Sequence, residues 1–184
     1  MLSPWSSSVV SEPGVSESAV SPIVLIRRLG LVSGSPGSAL SPYSEPLRLP
    51  LSADQRSSLR GHRRSACGRD LLLQLPRGGA LEPGEYLAGA TGSALVIVEA
   101  APEPLLQVRS PDPLALLQAA YHLGNRHVAM ELQEGQLRLL QDSVLEELLH
   151  QRGLVVERIT APFQPESGAY ASATSHSHSH SHSH

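Results

Sequence analysis

After about residue 104 the apolar residues follow an order that few folds can accommodate: strand, helix, strand, tight turn, strand, helix, strand. Leu105 to Arg109 reads as a strand, and Pro111-Asp112-Pro113 opens a helix, where proline suits the first turn. Leu114, Leu117, Ala120 and Tyr121 recur at helical spacing, and Gly124 is the candidate for a left-handed residue that ends the helix. His127 to Gln133 alternates as a strand, Glu134-Gly135 makes a tight turn, and Gln136 to Gln141 returns as the hairpin partner. Asp142 or Ser143 caps a second helix, Ser143 to Glu146 having the spacing of a capping box. Its apolar face is Val144, Leu145, Leu148 and Leu149, Gly153 stops it, and Leu154 to Phe163 supplies the last strand. The order βαββαβ is that of the ferredoxin-like split βαβ arrangement, a fold that hosts many functions and identifies none.

The preceding stretch has a different period. From Pro46 to Val108, short apolar runs (LRLPL, LLLQLP, EYLAG, ALVIVEA) alternate with turn chemistry such as Arg77-Gly78-Gly79, Glu82-Pro83-Gly84 and Thr91-Gly92-Ser93. That describes a small all-β unit. Residues 1–44 read as a disordered Ser/Pro-rich leader, within which Ile23 to Leu31 is either a strand or a sticky apolar segment. The expected organisation is α+β: leader 1–44, all-β domain 45–103, ferredoxin-like domain 104–165 and flexible tail 166–184.

Composition narrows the function. With 17 acidic and 14 basic residues the net charge is −3, which gives no overall attraction to nucleic acid or anionic lipid. No basic start precedes a long apolar run, and no apolar stretch reaches the roughly 18 residues of a membrane span. Neither a nucleic-acid partner nor a membrane is expected. Cys67 is the single cysteine, so there is no disulfide framework and no thiolate pair for zinc, which fits a reducing cytoplasm. Against the acidic background, Arg56, Arg60, Arg63, Arg64 and Arg69 form a local basic cluster with His62. It reads either as a solvated loop face or as a contact for an acidic partner.

The strongest chemical signal is the tail, in which His176, His178, His180, His182 and His184 alternate with serine. In an extended chain all five imidazoles lie on one side at intervals of roughly 7 Å, from a rise of about 3.3 Å per residue. Neutral imidazole binds Ni(II), Cu(II) and Zn(II), and flexible serines let neighbouring rings converge on one ion. Imidazole titrates near 6.5, so binding by the tail should weaken steeply below about pH 6. An appended affinity tag is the other reading, though such tags use contiguous histidines. Among the remaining histidines, His122 and His127 flank a helix–strand junction and His150 lies near a helix C-terminus, where a partly charged ring suits the dipole. Spacing alone assigns none of them a ligand role.

The run Ala120-Tyr-His-Leu-Gly-Asn-Arg-His127 resembles the most distinctive segment of the urease accessory protein UreE family. Asp142-Ser-Val-Leu-Glu-Glu-Leu-Leu is similar to that family's second helix, and Ala161-Pro-Phe-Gln-Pro-Glu-Ser-Gly-Ala-Tyr170 with its histidine-rich continuation to its closing segment. Arg60 to Arg64 and Leu75 to Glu85 are similar, less specifically, to its amino-terminal β domain. The resemblance implies a nickel metallochaperone rather than an enzyme: a cytoplasmic homodimer in which His127 from both chains shares one Ni(II), with tail histidines adding ligands. It further implies delivery through the accessory GTPase UreG to the urease apoprotein assembly complex. The family's β domain resembles a peptide-binding domain of co-chaperones, which makes Arg56, Arg60, Arg63 and Arg64 candidates for partner contact. Some relatives have histidines on both sides of the aspartate that opens the second helix. Gln141 and Ser143 stand there in this chain, so no second internal metal site is carried over. Ala129 replaces the proline common two residues after the motif histidine.

Competing functions are separable. A histidine-rich nickel or zinc storage protein needs the same tail but no partner-binding domain. An RNA-binding module of this fold stacks bases on sheet aromatics, and Val128 to Gln133 and Leu137 to Gln141 contain none. An acylphosphatase-like site needs an arginine and an asparagine around a phosphate; Asn125 and Arg126 already belong to the motif.

Overall fold

A computed structural model describes residues 21–31, 45–89 and 95–167. The predicted leader outside residues 21–31, the Thr91-Gly92-Ser93 turn and the histidine tail lie outside the described residues.

The first sheet contains β1 (Ile23–Leu31), β2 (Leu47–Leu51), β3 (Arg60–Arg64), β4 (Asp70–Gln74), β5 (Glu85–Gly89) and β6 (Leu95–Ala100), with the short helix α1 (Ala53–Ser57) after β2. Its strand order is β2-β6-β5-β1-β4-β3. The segment that the sequence left open is therefore an interior strand: β1 runs parallel to β4 and antiparallel to β5. The β unit begins at residue 23 rather than 45. Alternation explains the core, since Leu71 and Leu73 of β4 and Val96 and Val98 of β6 point inward and pack with Leu25 and Leu87 in one cluster. The two edges approach each other, and the Ala66 N–H donates to the Arg48 carbonyl at 2.8 Å, drawing the β3–β4 turn over the edge of β2.

Only Ala101 separates β6 from β7 (Pro102–Arg109), and its N–H donates to Leu51 O at 2.9 Å. The second sheet follows with α2 (Pro113–Gly124), β8 (Glu131–Gln133), β9 (Gln136–Leu140), α3 (Ser143–Gln151) and β10 (Val155–Pro162), in strand order β10-β7-β9-β8 and antiparallel throughout. This is the βαββαβ order expected from the sequence. Leu106 and Val108 of β7 lie opposite Leu139 and Leu137 of β9, and all four join Ala119, Leu123 and Leu149 in one core cluster. Both helices thus cover the same face of the sheet.

Local chemistry accounts for the helix starts. The Asp112 carboxylate accepts from Leu114 N at 2.9 Å with Pro113 in the first turn, and Asp142 accepts from Val144 N and Leu145 N at 2.8 and 2.9 Å. Asp142, not Ser143, is the cap of α3. The apolar stripe of α2 differs from expectation. Leu114, Leu117 and Tyr121 are exposed, whereas Ala119 and Leu123 are buried, flanked by partly buried Leu116 and Ala120. The helix is apolar on two sides, and only one meets its own sheet. No helix of the described residues is long and apolar enough to cross a membrane.

Candidate metal centre

The end of α2 is built differently from its sequence pattern. Gly124 stays helical, and the left-handed residue is His127, with φ +56°, the sole non-glycine of positive φ among the described residues. His127 N donates to Gly124 O at 2.9 Å and Val128 N to Leu123 O at 3.1 Å, the bond pair of a Schellman ending, and Val128 packs into the cluster that holds Leu123. The expected strand from His127 accordingly shortens to Glu131–Gln133. A left-handed backbone costs a side-chain-bearing residue about 1–2 kcal/mol. The cost is tolerated because the two bonds and the Val128 contact jointly specify the turn, and the result is an exposed imidazole on a defined backbone.

His122, five residues earlier, is half-buried and edge-on to Tyr121 with ring centroids 5.5 Å apart, and its carbonyl accepts from Arg126 Nη1 at 3.2 Å. His150 is exposed in the last turn of α3, as its sequence position implied. Among the described residues no three His, Cys, Asp or Glu side chains are grouped to hold a metal ion. His127 therefore stands as a single donor there, while His176, His178, His180, His182 and His184 lie outside the described residues.

The chain leading to the tail is fastened beside this turn. Gln164 N donates to Glu131 Oε2 at 2.9 Å, and Glu166 N to Met130 O at 2.8 Å. Met130 is three residues past His127, so the last described residue, Ser167, leaves from the same neighbourhood. Neither fastening has a local sequence signal, because both are long-range pairings.

The arginine cluster divides. Arg60 and Arg64 are exposed on one side of the edge strand β3 together with His62, and Arg64 Nε pairs with Asp70 Oδ1 at 3.2 Å. Arg63 is half-buried and tied to local backbone, donating to His62 O at 2.8 Å and Ser58 O at 3.3 Å. Arg56 is buried, only 5% exposed, and its Nη2 donates to Phe163 O at 2.7 Å. It faces inward, so it does not belong to the exposed basic surface expected of it. Cys67 is exposed, and its thiol is drawn below its usual range first by the hydrogen bond with Ser65 and then by the Arg69 backbone.

Fold and site together define a class: a two-sheet α+β protein that presents a histidine on an exposed helix-ending turn. The family model described as the UreE urease accessory protein, C-terminal domain, matches residues 103–184. Proteins named urease accessory protein UreE are similar over much of the chain. That of Parasynechococcus marenigrum is 61% identical over 68% of this chain and 83% of its own length, and that of Thermosynechococcus vestitus 50% identical over 67% and 86%. A Pseudomonas putida relative is 54% identical over 58% of this chain and 66% of its own length. The chain belongs to the UreE family of urease accessory proteins, which are not enzymes.

Proposed function

We propose that this chain is a nickel metallochaperone of urease maturation, a homodimer that holds one Ni(II) between the His127 residues of two copies and hands it on. The observation that carries this reading is the exposed, left-handed His127 at the end of a helix whose Leu114, Leu117 and Tyr121 are left exposed by the described residues. Those side chains lie at positions i, i+3 and i+7 of α2 and lead towards the turn that carries His127. A second copy docked on this stripe by twofold symmetry sets the same surface of each copy against the other, and a His127 at the axis then meets its mate, so one histidine per chain supplies two ligands.

The remaining ligands come from His176, His178, His180, His182 and His184, whose chain starts beside Met130. A site built of several imidazoles exchanges ligands one at a time and so passes its ion to a recipient without leaving it bare. Imidazole prefers Cu(II) to Ni(II) and also binds Zn(II), so both compete in vitro. The recipient is UreG within the urease assembly complex in the cytoplasm, with Arg60, Arg63 and Arg64 of β3 as the contact for its acidic surface; Arg56 is excluded by its burial.

Nickel titration by calorimetry at neutral pH tests this, using the full chain, a truncation after Thr174, and His127→Ala in the truncated chain. About one ion per dimer should survive truncation and disappear with the substitution. If the truncated protein binds no nickel, the tail carries all the affinity and a storage protein without directed transfer is the better description.

A further inference from the structure

Arg56 sits in a place that its surroundings in the sequence do not suggest. It lies on α1, whose orientation is set by a capping box: Gln55 N donates to Ser52 Oγ at 3.2 Å and Ser52 N to Gln55 Oε1 at 3.0 Å. So held, its guanidinium points into the protein and reaches Phe163, 107 residues away. Its backbone carbonyl accepts from Leu81 N at 2.9 Å, which fastens α1 to the loop before β5. Burial lowers the guanidinium's pKa, partly offset by Glu103 and Glu131, and Nη1 has no hydrogen-bond partner among the described residues. A buried cation this sparsely bonded is a costly way to fill space.

What it grips is informative. Phe163 is fully buried directly after β10, and the next residues are held by Glu131 at Gln164 and by Met130 at Glu166. Glu131 is itself steadied by Arg138, whose Nε and Nη2 both donate to Gln107 Oε1 at 3.2 Å. Three grips therefore fall within four residues, one from the first sheet's unit and two from the β8 edge. From Ser167, the nine residues to His176 reach at most roughly 30 Å when extended. Where the tail starts decides which ions its histidines can reach.

We propose that Arg56 is a positioning residue for the C-terminal tail: it clamps residues 163–166 between the two sheets, so that the tail departs beside the turn carrying His127. This rests on the reading that tail histidines add ligands to the His127 ion, and its test separates the two.

Amide hydrogen exchange and nickel calorimetry are compared for the full wild-type chain, Arg56→Gln and Arg56→Lys, with the wild type and Arg56→Gln also truncated after Thr174. In Arg56→Gln the amides of Gln164 and Glu166 should exchange about tenfold faster while those of Leu106 and Leu139 are unchanged, as expected for local opening. First-ion affinity should fall several-fold in the full chain and not in the truncated pair, and Arg56→Lys, which keeps a donor, should recover part of both effects. Unchanged exchange at Gln164 and Glu166 in folded Arg56→Gln overturns the clamp. Faster exchange with unaltered affinity of the full chain overturns its positioning role. If truncation itself leaves wild-type first-ion affinity unaltered, the reading that tail histidines add ligands to the His127 ion fails, and the clamp then stands or falls on exchange alone. Should Arg56→Gln not fold, Glu131→Ala removes the middle grip and must raise exchange at Gln164.

Discussion

His127 and Gly153 occupy the same position in two helices. Each is the left-handed residue just past a helix end, with φ of +56° and +74°. Each is followed by the same bond pair, Gly153 N to His150 O at 2.9 Å and Leu154 N to Leu149 O at 3.2 Å matching His127 N to Gly124 O and Val128 N to Leu123 O. One helix ends on the residue that suits this backbone, and the other on a histidine that is strained by it. The comparison isolates His127 as a position where backbone preference has yielded to the side chain.

His127→Gly should accordingly cost no stability, gaining up to about 1 kcal/mol as strain relief outweighs glycine's added unfolded-state freedom. Nickel held at the proposed shared site should be lost in the same variant. Urea denaturation alongside nickel calorimetry reads both, and a loss of stability in His127→Gly would show that the ring makes a structural contact instead.

The outward stripe of α2 gives the next expectation. Leu117 is 67% exposed, so Leu117→Arg should shift the stability of the isolated fold by no more than about 0.5 kcal/mol. If the stripe is the surface joining two copies, the same change should weaken dimerisation by roughly 30-fold or more, in the range of an interface hot spot. Sedimentation equilibrium and circular dichroism distinguish the outcomes. A variant that remains dimeric removes α2 from the interface.

Removing residues 1–44 deletes β1 and with it the strand between β4 and β5, so the first sheet should fail to form in that truncation. A milder probe is the ion pair of Arg28 and Glu85, Nε to Oε1 at 2.5 Å and Nη2 to Oε2 at 2.8 Å, with the Glu85 side chain only 4% exposed. Arg28 also donates to Gly79 O and Ala80 O, holding the loop before β5. Arg28→Ala leaves a buried carboxylate without its cation and should cost about 2–4 kcal/mol in thermal or urea unfolding.

These positions show where sequence pattern carries information and where it stops. The second sheet was legible because its strands and helices keep one period each, with Asp112, Asp142, Gly135 and Gly153 punctuating them. β1 was not, because register shifts between Leu25 and Arg27 and between Arg28 and Gly30 reset its alternation, and Arg28 reads as solvent-facing until its ion pair with Glu85 is found. Of the expected stripe Leu114, Leu117, Ala120 and Tyr121, Ala120 packs against the core and the other three face outward, because periodicity cannot say which apolar face meets the chain's own core. The candidate site was legible mainly through the motif ending in His127, since nothing in residue spacing predicts a left-handed histidine. Arg56 looked like one more surface arginine, and only its approach to Phe163 distinguishes it.

The ion pair between Glu146 of α3 and Arg158 of β10 makes stability depend on pH in a definite direction. Arg158 Nε lies 2.9 Å from Glu146 Oε1 and Nη2 2.7 Å from Oε2, and these hydrogen bonds hold the carboxyl below its ordinary range. A carboxyl depressed in the folded state contributes fully above its unfolded pKa, near 4.3, and loses that contribution as pH falls through the lower folded value. The stability gap between wild type and Arg158→Gln should therefore be constant near neutrality and close progressively below about pH 4.3. Because Arg158 is largely exposed, added salt should narrow the gap at neutral pH as well. Urea midpoints of both proteins across this range provide the measurement, and a gap that stays constant into strong acid would mean that Arg158 supports β10 by packing rather than by its charge.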